Sequence, residues 1–123
     1  MADTYVYLDE FGNALLVQKQ AHETTLSFLQ TLVDGWIDVV SNGRFDFVVN
    51  DEGLYREDFG INLVATVISK RQLVGPCVVT KSTPEGETIG LSKEEIRYLK
   101  LDLDDRIYTS EDIATKIASR RES

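Results

Sequence analysis

Two short apolar-rich runs, residues 5–8 and 14–18, flank Glu10-Phe11-Gly12-Asn13, whose last two residues are turn formers. With that tetrapeptide as the loop, Asp9 faces Ala14, Leu8 faces Leu15 and Val6 faces Val17. Opposed residues share a face of the ribbon. Val6, Leu8, Leu15 and Val17 then make an apolar face, with Tyr5, Tyr7, Asp9 and Gln18 on the other, the pattern of a half-buried hairpin. Residues 24–34 carry Leu26, Leu29, Leu32 and Val33 at helical spacing, and Gly35 stands where a helix-ending glycine belongs. Residues 36–40 and 45–49 are strand-like, and Asn42-Gly43 between them is a strong hairpin signal. That turn pairs Val40 with Phe45, Asp38 with Phe47 and Trp36 with Val49. On the other face it pairs Ile37 with Val48 and Val39 with Asp46. Both faces are largely apolar, so the hairpin is expected at the centre of the sheet with Trp36, Phe45 and Phe47 in the core. Asp38, on the more aromatic face, then needs hydrogen-bond partners or an edge position.

Asn50-Asp51-Glu52-Gly53 reads as a turn and residues 54–59 as an exposed loop of mixed charge. In 61–69, Val64, Val67 and Ile68 fit a short helix, although the β-branched content also fits a strand. Gly75-Pro76 breaks the chain, 77–80 reads as a strand, and 87–91 returns as another after the turn at 82–86. Ser92-Lys93-Glu94-Glu95 matches a capping box, which starts a helix to about Leu101 that buries Ile96 and Leu99. Asp102-Leu103-Asp104-Asp105 reads as a linker. Thr109-Ser110-Glu111-Asp112 opens a last helix that ends in Lys116, Arg120 and Arg121, the sign its dipole prefers. Its stripe of Ile113, Ala114, Ile117 and Ala118 is thin, which points to loose packing or self-pairing through that helix.

The expectation is an α+β fold: a small mixed or antiparallel sheet with hairpins, one covering helix and C-terminal helices. Residues 1–101 form a single domain. Residues 102–123 add an acidic linker and a helix, part of that domain or appended to it. The length of 123 residues suits one core, and the hydrophobic share of 42% argues against wholesale disorder. No apolar run approaches the roughly 18–20 residues a membrane helix needs. Met1-Ala2-Asp3-Thr4 lacks the features of a signal peptide. The single cysteine, Cys77, excludes an internal disulfide and fits a reducing cytoplasm.

Charge sharpens the picture. The chain carries −8, and residues 1–60 hold 11 acids against three bases, whereas residues 61–123 balance ten against ten. That argues against direct binding to a nucleic-acid backbone, which calls for clustered Lys and Arg. An aromatic sheet that stacks RNA bases also carries basic neighbours, and here they are Asp38 and Asp46. No phosphate loop, dinucleotide fingerprint or nucleophile elbow is present. His22, the only histidine, sits just before the first helix in an exposed or capping position. Cys77 lies in an apolar strand, where a thiol is inert by default. One histidine and one cysteine make no tetrahedral zinc site. A calcium loop starting at Asp102 fails at Arg106, Ile107 and Ile113. The sequence thus predicts no enzyme, no catalytic residue, no metal and no cofactor.

The order of Gly35-Trp36-Ile37-Asp38-Val39-Val40, then Val48-Val49-Asn50-Asp51-Glu52-Gly53-Leu54, then Asn62-x-x-Ala65-Thr66 carries a resemblance. Val74-Gly75-Pro76-x-Val78-Val79-Thr80 and Glu87-Thr88-x-Gly90-Leu91 continue it. Over about residues 4–100 the chain resembles a family of small uncharacterised domains found in tailed phages and bacterial mobile elements. The resemblance implies a phage-type accessory protein in the host cytoplasm and brings no catalytic residues. The function expected is a non-enzymatic interaction module, an inhibitor or adaptor of a host or phage protein. The alternatives are a small-molecule (nucleotide signal) binder, with Arg44, Arg56 and Arg71 as cations, and an acidic DNA mimic. The expected partner-binding residues are Asp51, Glu52, Tyr55, Arg56, Glu57 and Asp58, because loops present recognition groups and Tyr and Arg favour interface centres. The expected partner is a protein with a basic surface, and the chain itself is expected to be a monomer or small homo-oligomer through the C-terminal helix.

Overall fold

The first hairpin turns on Asp9. Its carboxylate accepts from the backbone N–H groups of Phe11 and Asn13, each at 2.9 Å, and from the Asn13 amide at 2.8 Å. Asp9 is therefore a turn residue, and the loop is one residue longer than expected. In the computed structural model, which describes residues 3–121, β1 (Thr4–Leu8) and β2 (Ala14–Gln18) pair Tyr5 with Val17, Tyr7 with Leu15 and Leu8 with Ala14. A slip of one residue exchanges faces. Tyr5, Tyr7, Leu15 and Val17 share one face, and Val6, Leu8, Ala14 and Leu16 the other. Both faces lie in cores, so the half-buried hairpin is corrected to one covered on both sides. Met1, Ala2, Glu122, Ser123 and the Arg121 side chain lie outside the described residues. With them go the reading of the N-terminal residues and the last charge of the basic helix end.

Helix α1 (Thr25–Val33) follows, capped by Thr24, whose side chain accepts from the Ser27 N–H. It buries Phe28, Leu29, Leu32 and Val33, while Leu26 is exposed. The left-handed residue at its end is Asp34 (φ 63), not Gly35. Gly35 is required for another reason: a Cβ there would lie 2.7 Å from the Asn50 amide nitrogen.

Strands β3 (Ile37–Asn42) and β4 (Phe45–Asn50) form the second hairpin, with Asn42 opposite Phe45 and Asp38 opposite Val49. The turn is Gly43-Arg44, one position later than the sequence predicts, which slides the strand pairing by two residues. Glycine takes the first central position at φ 67, and Asn42 stays in the strand, donating its amide to the Ser69 carbonyl. A shift of two keeps every face. The expected central position is corrected for β3, which is an edge strand in the order β3-β4-β5-β1-β2-β7, where β5 is Cys77–Ser82 and β7 is Leu103–Tyr108, with β6 (Thr88–Ile89) beside β5. At the edge Asp38 meets water, and Trp36, expected in the core, is exposed.

The 61–69 ambiguity resolves as α2 (Leu63–Ser69), started by the fully buried Asn62, whose side chain accepts from Ala65 N–H. Its exposed face includes Val67. Strands β5 (Cys77–Ser82) and β6 (Thr88–Ile89) and helix α3 (Lys93–Tyr98) come next, α3 with the expected capping box between Ser92 and Glu95. It ends before Leu101, and Ile96 and Leu99 are half-buried. The 102–105 linker is corrected to part of β7 (Leu103–Tyr108), which runs parallel to β2 at the other sheet edge. The last helix, α4 (Ser110–Arg121), begins behind reciprocal bonds between Thr109 and Asp112. It packs on α1 and buries Ile113 completely.

The α+β expectation thus holds as a mixed seven-stranded sheet with α1 and α4 on one face and α2 and α3 on the other. Ile113→Ala should lower unfolding free energy by about 2–4 kcal/mol, a buried large-to-small change. Val67→Ala, on the exposed face of α2, should stay within about 0.5 kcal/mol. Urea unfolding followed by circular dichroism measures both, and a neutral Ile113→Ala would detach α4 from the core.

Candidate functional site

The chain leaves β4 through Asn50, which is buried and does three things at once. Its amide nitrogen donates to the Val33 and Asp34 carbonyls at 3.0 and 3.1 Å, and its oxygen accepts from the Glu52 N–H at 2.8 Å. Two carbonyls at the end of α1, those of Val33 and Asp34, are thereby satisfied, and the loop starts from a fixed point. Gly53 to Tyr55 form a single 3-10 turn. Arg56 then folds back. Its Nε and Nη2 grip both oxygens of Asp58 at 2.7 and 2.6 Å, and Nη2 also reaches Asp34 Oδ2 at 3.0 Å. Its guanidinium lies 4.1 Å over the Phe59 ring. The loop is tied to the end of α1 at both its start and its return.

These ties decide which expected partner-binding residues are available. Arg56 and Asp58 hold each other and the loop, so they position the site rather than face a partner. The hydrogen bond from Arg56 holds the Asp58 carboxyl below its ordinary value of 3.8 and raises the guanidinium in turn. Asp51, Glu52 and Glu57 are exposed and have no ion-pair partner among the described residues. At the tip Leu54 is 76% and Tyr55 85% exposed. Leu54 is missing from the sequence-derived set; its signal was an apolar residue directly after the Gly53 turn.

The structure adds neighbours from distant sequence. A cleft of about 180 Å³ beside the loop brings Asp38 of β3 and Asp51 against Arg71 and Leu54. On the other side, a cleft of about 170 Å³ is lined by Tyr7, Phe11, Asp58, Phe59 and Arg120. There Arg120 reaches the 1% exposed Asp9 at 2.9 Å and covers the Phe11 ring. That pair spans 111 positions, and nothing local in the sequence announces it. Of the three arginines considered as ligand cations, Arg56 is held by carboxylates, Arg71 lines the Asp38 cleft and Arg44 lies elsewhere, on the β3–β4 turn.

Burial pushes the Cys77 thiol and the Tyr7 phenol well above their ordinary values, and Tyr5 up to about 12, so all three stay neutral near pH 7. His22 is exposed, two residues before the helix cap Thr24. Among the described residues, no group of three or more His, Cys, Asp or Glu is placed to hold a metal ion. None of their helices is long and apolar enough to cross a membrane. The isoleucines of α4 turn inward, so a contact through that helix has to use Ala114, Ala118 and the charged flank.

The molecule is thus an α+β domain that carries a rigid, acid-rimmed loop at one end of a sheet covered on both faces. It belongs to the family described as a domain of unknown function (DUF3846), whose profile matches residues 5–104. No curated protein and no solved structure matches the chain. The matched region ends inside β7, yet β7 and α4 complete the same sheet and core.

Because the folded pKa of Asp58 is lowered, its contribution to stability is complete above the ordinary aspartate value. It is lost as pH falls through the folded value. Carboxyl-carbon NMR titration should find Asp58 below 3.8 in the wild type and back near that value in Arg56→Gln. An unchanged Asp58 titration in that variant would show that the ion pair does not form in solution.

Proposed function

We propose that this domain is a non-enzymatic interaction module that docks a protein with a basic surface through the 51–58 loop. On the resemblance to phage and mobile-element domains, and on the single buried thiol, its setting is the host cytoplasm and its role that of an inhibitor or adaptor. The observation that carries the reading is the Leu54-Tyr55 tip, standing in water on a loop tied down by Asn50 and Arg56.

Singly exposed apolar side chains are ordinary. This tip differs in its mounting. A tyrosine has few rotors to freeze, and a loop already pinned by hydrogen bonds and ion pairs loses little further freedom on binding. The unpaired acids Asp51, Glu52 and Glu57 supply a rim that steers a basic surface and raises its association rate. Asp58, held by Arg56, contributes to the platform instead.

A photoreactive amino acid at position 55 should crosslink one discrete protein in a host-cell extract, while the same group at position 67, which is 76% exposed, should not. Tyr55→Ala should weaken binding of that protein by about tenfold or more, as expected of a hot-spot anchor. Asp51→Lys with Glu57→Lys should slow association and flatten its dependence on salt, with thermal stability unchanged. Equal crosslinking at 55 and 67, or wild-type affinity in Tyr55→Ala, would overturn the proposal.

A further inference from the structure

The flank of α3 is chemically unlike the rest of this acidic molecule. On one side of the helix, a cleft of about 390 Å³ is lined by Asn42, Gly43, Arg44 and Phe45 of the β3–β4 turn, Ile68 and Lys70 of α2, and Tyr98 and Leu99. No carboxylate lines it. Neither Arg44 nor Lys70 has an ion-pair partner among the described residues. On the other side of α3, Lys93, Arg97 and Lys100 line a second cleft, again without a carboxylate. Five cations therefore line the two clefts beside one short helix in a chain of net charge −8, although the helix also carries Glu94 and Glu95, the second paired with Lys81.

Within the first cleft the groups are arranged for a particular chemistry. The Arg44 guanidinium stacks 4.3 Å over the Tyr98 ring, and Phe45 lies against the same ring with centroids 6.0 Å apart. A stacked guanidinium uses its face and keeps its in-plane N–H donors open, the geometry that grips a phosphate with two hydrogen bonds. Lys70 adds a second positive charge from an unusual backbone. It holds φ 62, a left-handed conformation that favours glycine, at the end of α2. The floor between these cations is apolar, made by Phe45, Ile68 and Leu99, and Tyr98 presents a mostly exposed ring. The volume lies in the range of small-molecule sites.

We propose that the Arg44–Lys70 cleft binds a free organic phosphate that carries a flat, largely apolar body, which is the chemistry of a nucleotide. Arg44 holds the phosphate edge-on, Lys70 completes its neutralisation, and the base lies over Ile68 and Leu99 beside Tyr98. This site is separate from the 51–58 loop and does not depend on a protein partner there.

The test is isothermal titration of the whole chain with adenosine and guanosine monophosphates. Free adenosine, inorganic phosphate and a short single-stranded oligodeoxynucleotide serve as comparisons. At least one monophosphate should bind saturably, more tightly than adenosine or phosphate alone. Arg44→Ala should weaken it by about tenfold or more, the scale of a lost charge-assisted hydrogen bond. Lys70→Gly separates binding from folding, because glycine suits the left-handed backbone. That variant should keep or raise the melting temperature and still bind more weakly. Three results would each overturn the assignment. These are no monophosphate binding, wild-type affinity in both variants, or binding of the oligonucleotide alone, which would make the flank a surface for a strand.

Discussion

Alternate side chains of β1 enter two different cores. Tyr5 and Tyr7 meet Phe28 and its neighbours on the α1 side, while Val6 and Leu8 meet Phe47, Val79 and Leu91 on the other. A strand placed in this way has no wet face, so the sheet must be covered twice. That requirement accounts for α1 and α4 on one face and α2 and α3 on the other. It also explains why the thin-looking α4 is needed. Ile113, with Ile117 behind it, closes the α1 side over Tyr108 and Val17. With both faces occupied, the sheet itself offers other molecules only its edges and the loops at its ends.

Those loops are set by buried side-chain amides. Asn62, fully enclosed, donates to the Leu8 and Gly75 carbonyls at 3.0 and 2.9 Å and accepts from Ala65 N–H at 3.1 Å. It joins the end of β1, the start of α2 and the bend before β5. Asn50 does the same for the end of α1, the end of β4 and the 51–58 loop. An amide suits both places because it donates and accepts without carrying a charge into the interior. Removing either would leave several buried carbonyls and N–H groups unpaired, at about 1–3 kcal/mol for each such group. The 51–58 loop is therefore anchored at its start and its return, although it is exposed along most of its length.

The sequence made some of this legible and hid the rest for identifiable reasons. Caps were readable because they are local: Ser92 with Glu95, and Thr109 with Asp112, act over three residues. The first hairpin was misread because Asp9 looks like a strand residue until its carboxylate is seen closing the turn, and one added loop residue exchanges every face. In the second hairpin Asn42-Gly43 identified the turn but not its place within it, since Asn42 is drawn to Ser69, 27 positions away. β7 was hidden by its composition. Asp104 and Asp105 read as a linker, and an edge strand tolerates them because one side of its ladder faces water. At the candidate site, the loop and its acids were legible. The division of labour between Arg56 with Asp58 and the exposed Leu54-Tyr55 tip was not, because it rests on Asp34 at the end of α1.

Charge counted along the chain also misleads in an instructive way. Residues 61–123 are neutral in sum, and their charges mix on α3 itself, where Glu94 and Glu95 stand between Lys93 and Arg97 and Glu95 pairs with Lys81, yet the only charged residues lining the two clefts beside that helix are cations. Lys70, Lys93, Arg97 and Lys100 gather around α3, while Asp104, Asp105, Glu111 and Asp112 fall on β7 and the start of α4. Arg44, one of three bases in the acidic half, crosses to the basic side because the β3–β4 turn carries it to Tyr98. What a ligand meets is the local field, and with a screening length of about 8 Å in physiological salt the acids of the 51–58 loop are weakly felt beyond their own neighbourhood. One rigid sheet therefore supports two surfaces of opposite sign. Each is built from loops whose anchoring residues differ, Asn50 and Arg56 for the acidic tip, and Asn42 with the end of α2 for the basic cleft. A change that alters the charge of one surface leaves the anchors of the other in place.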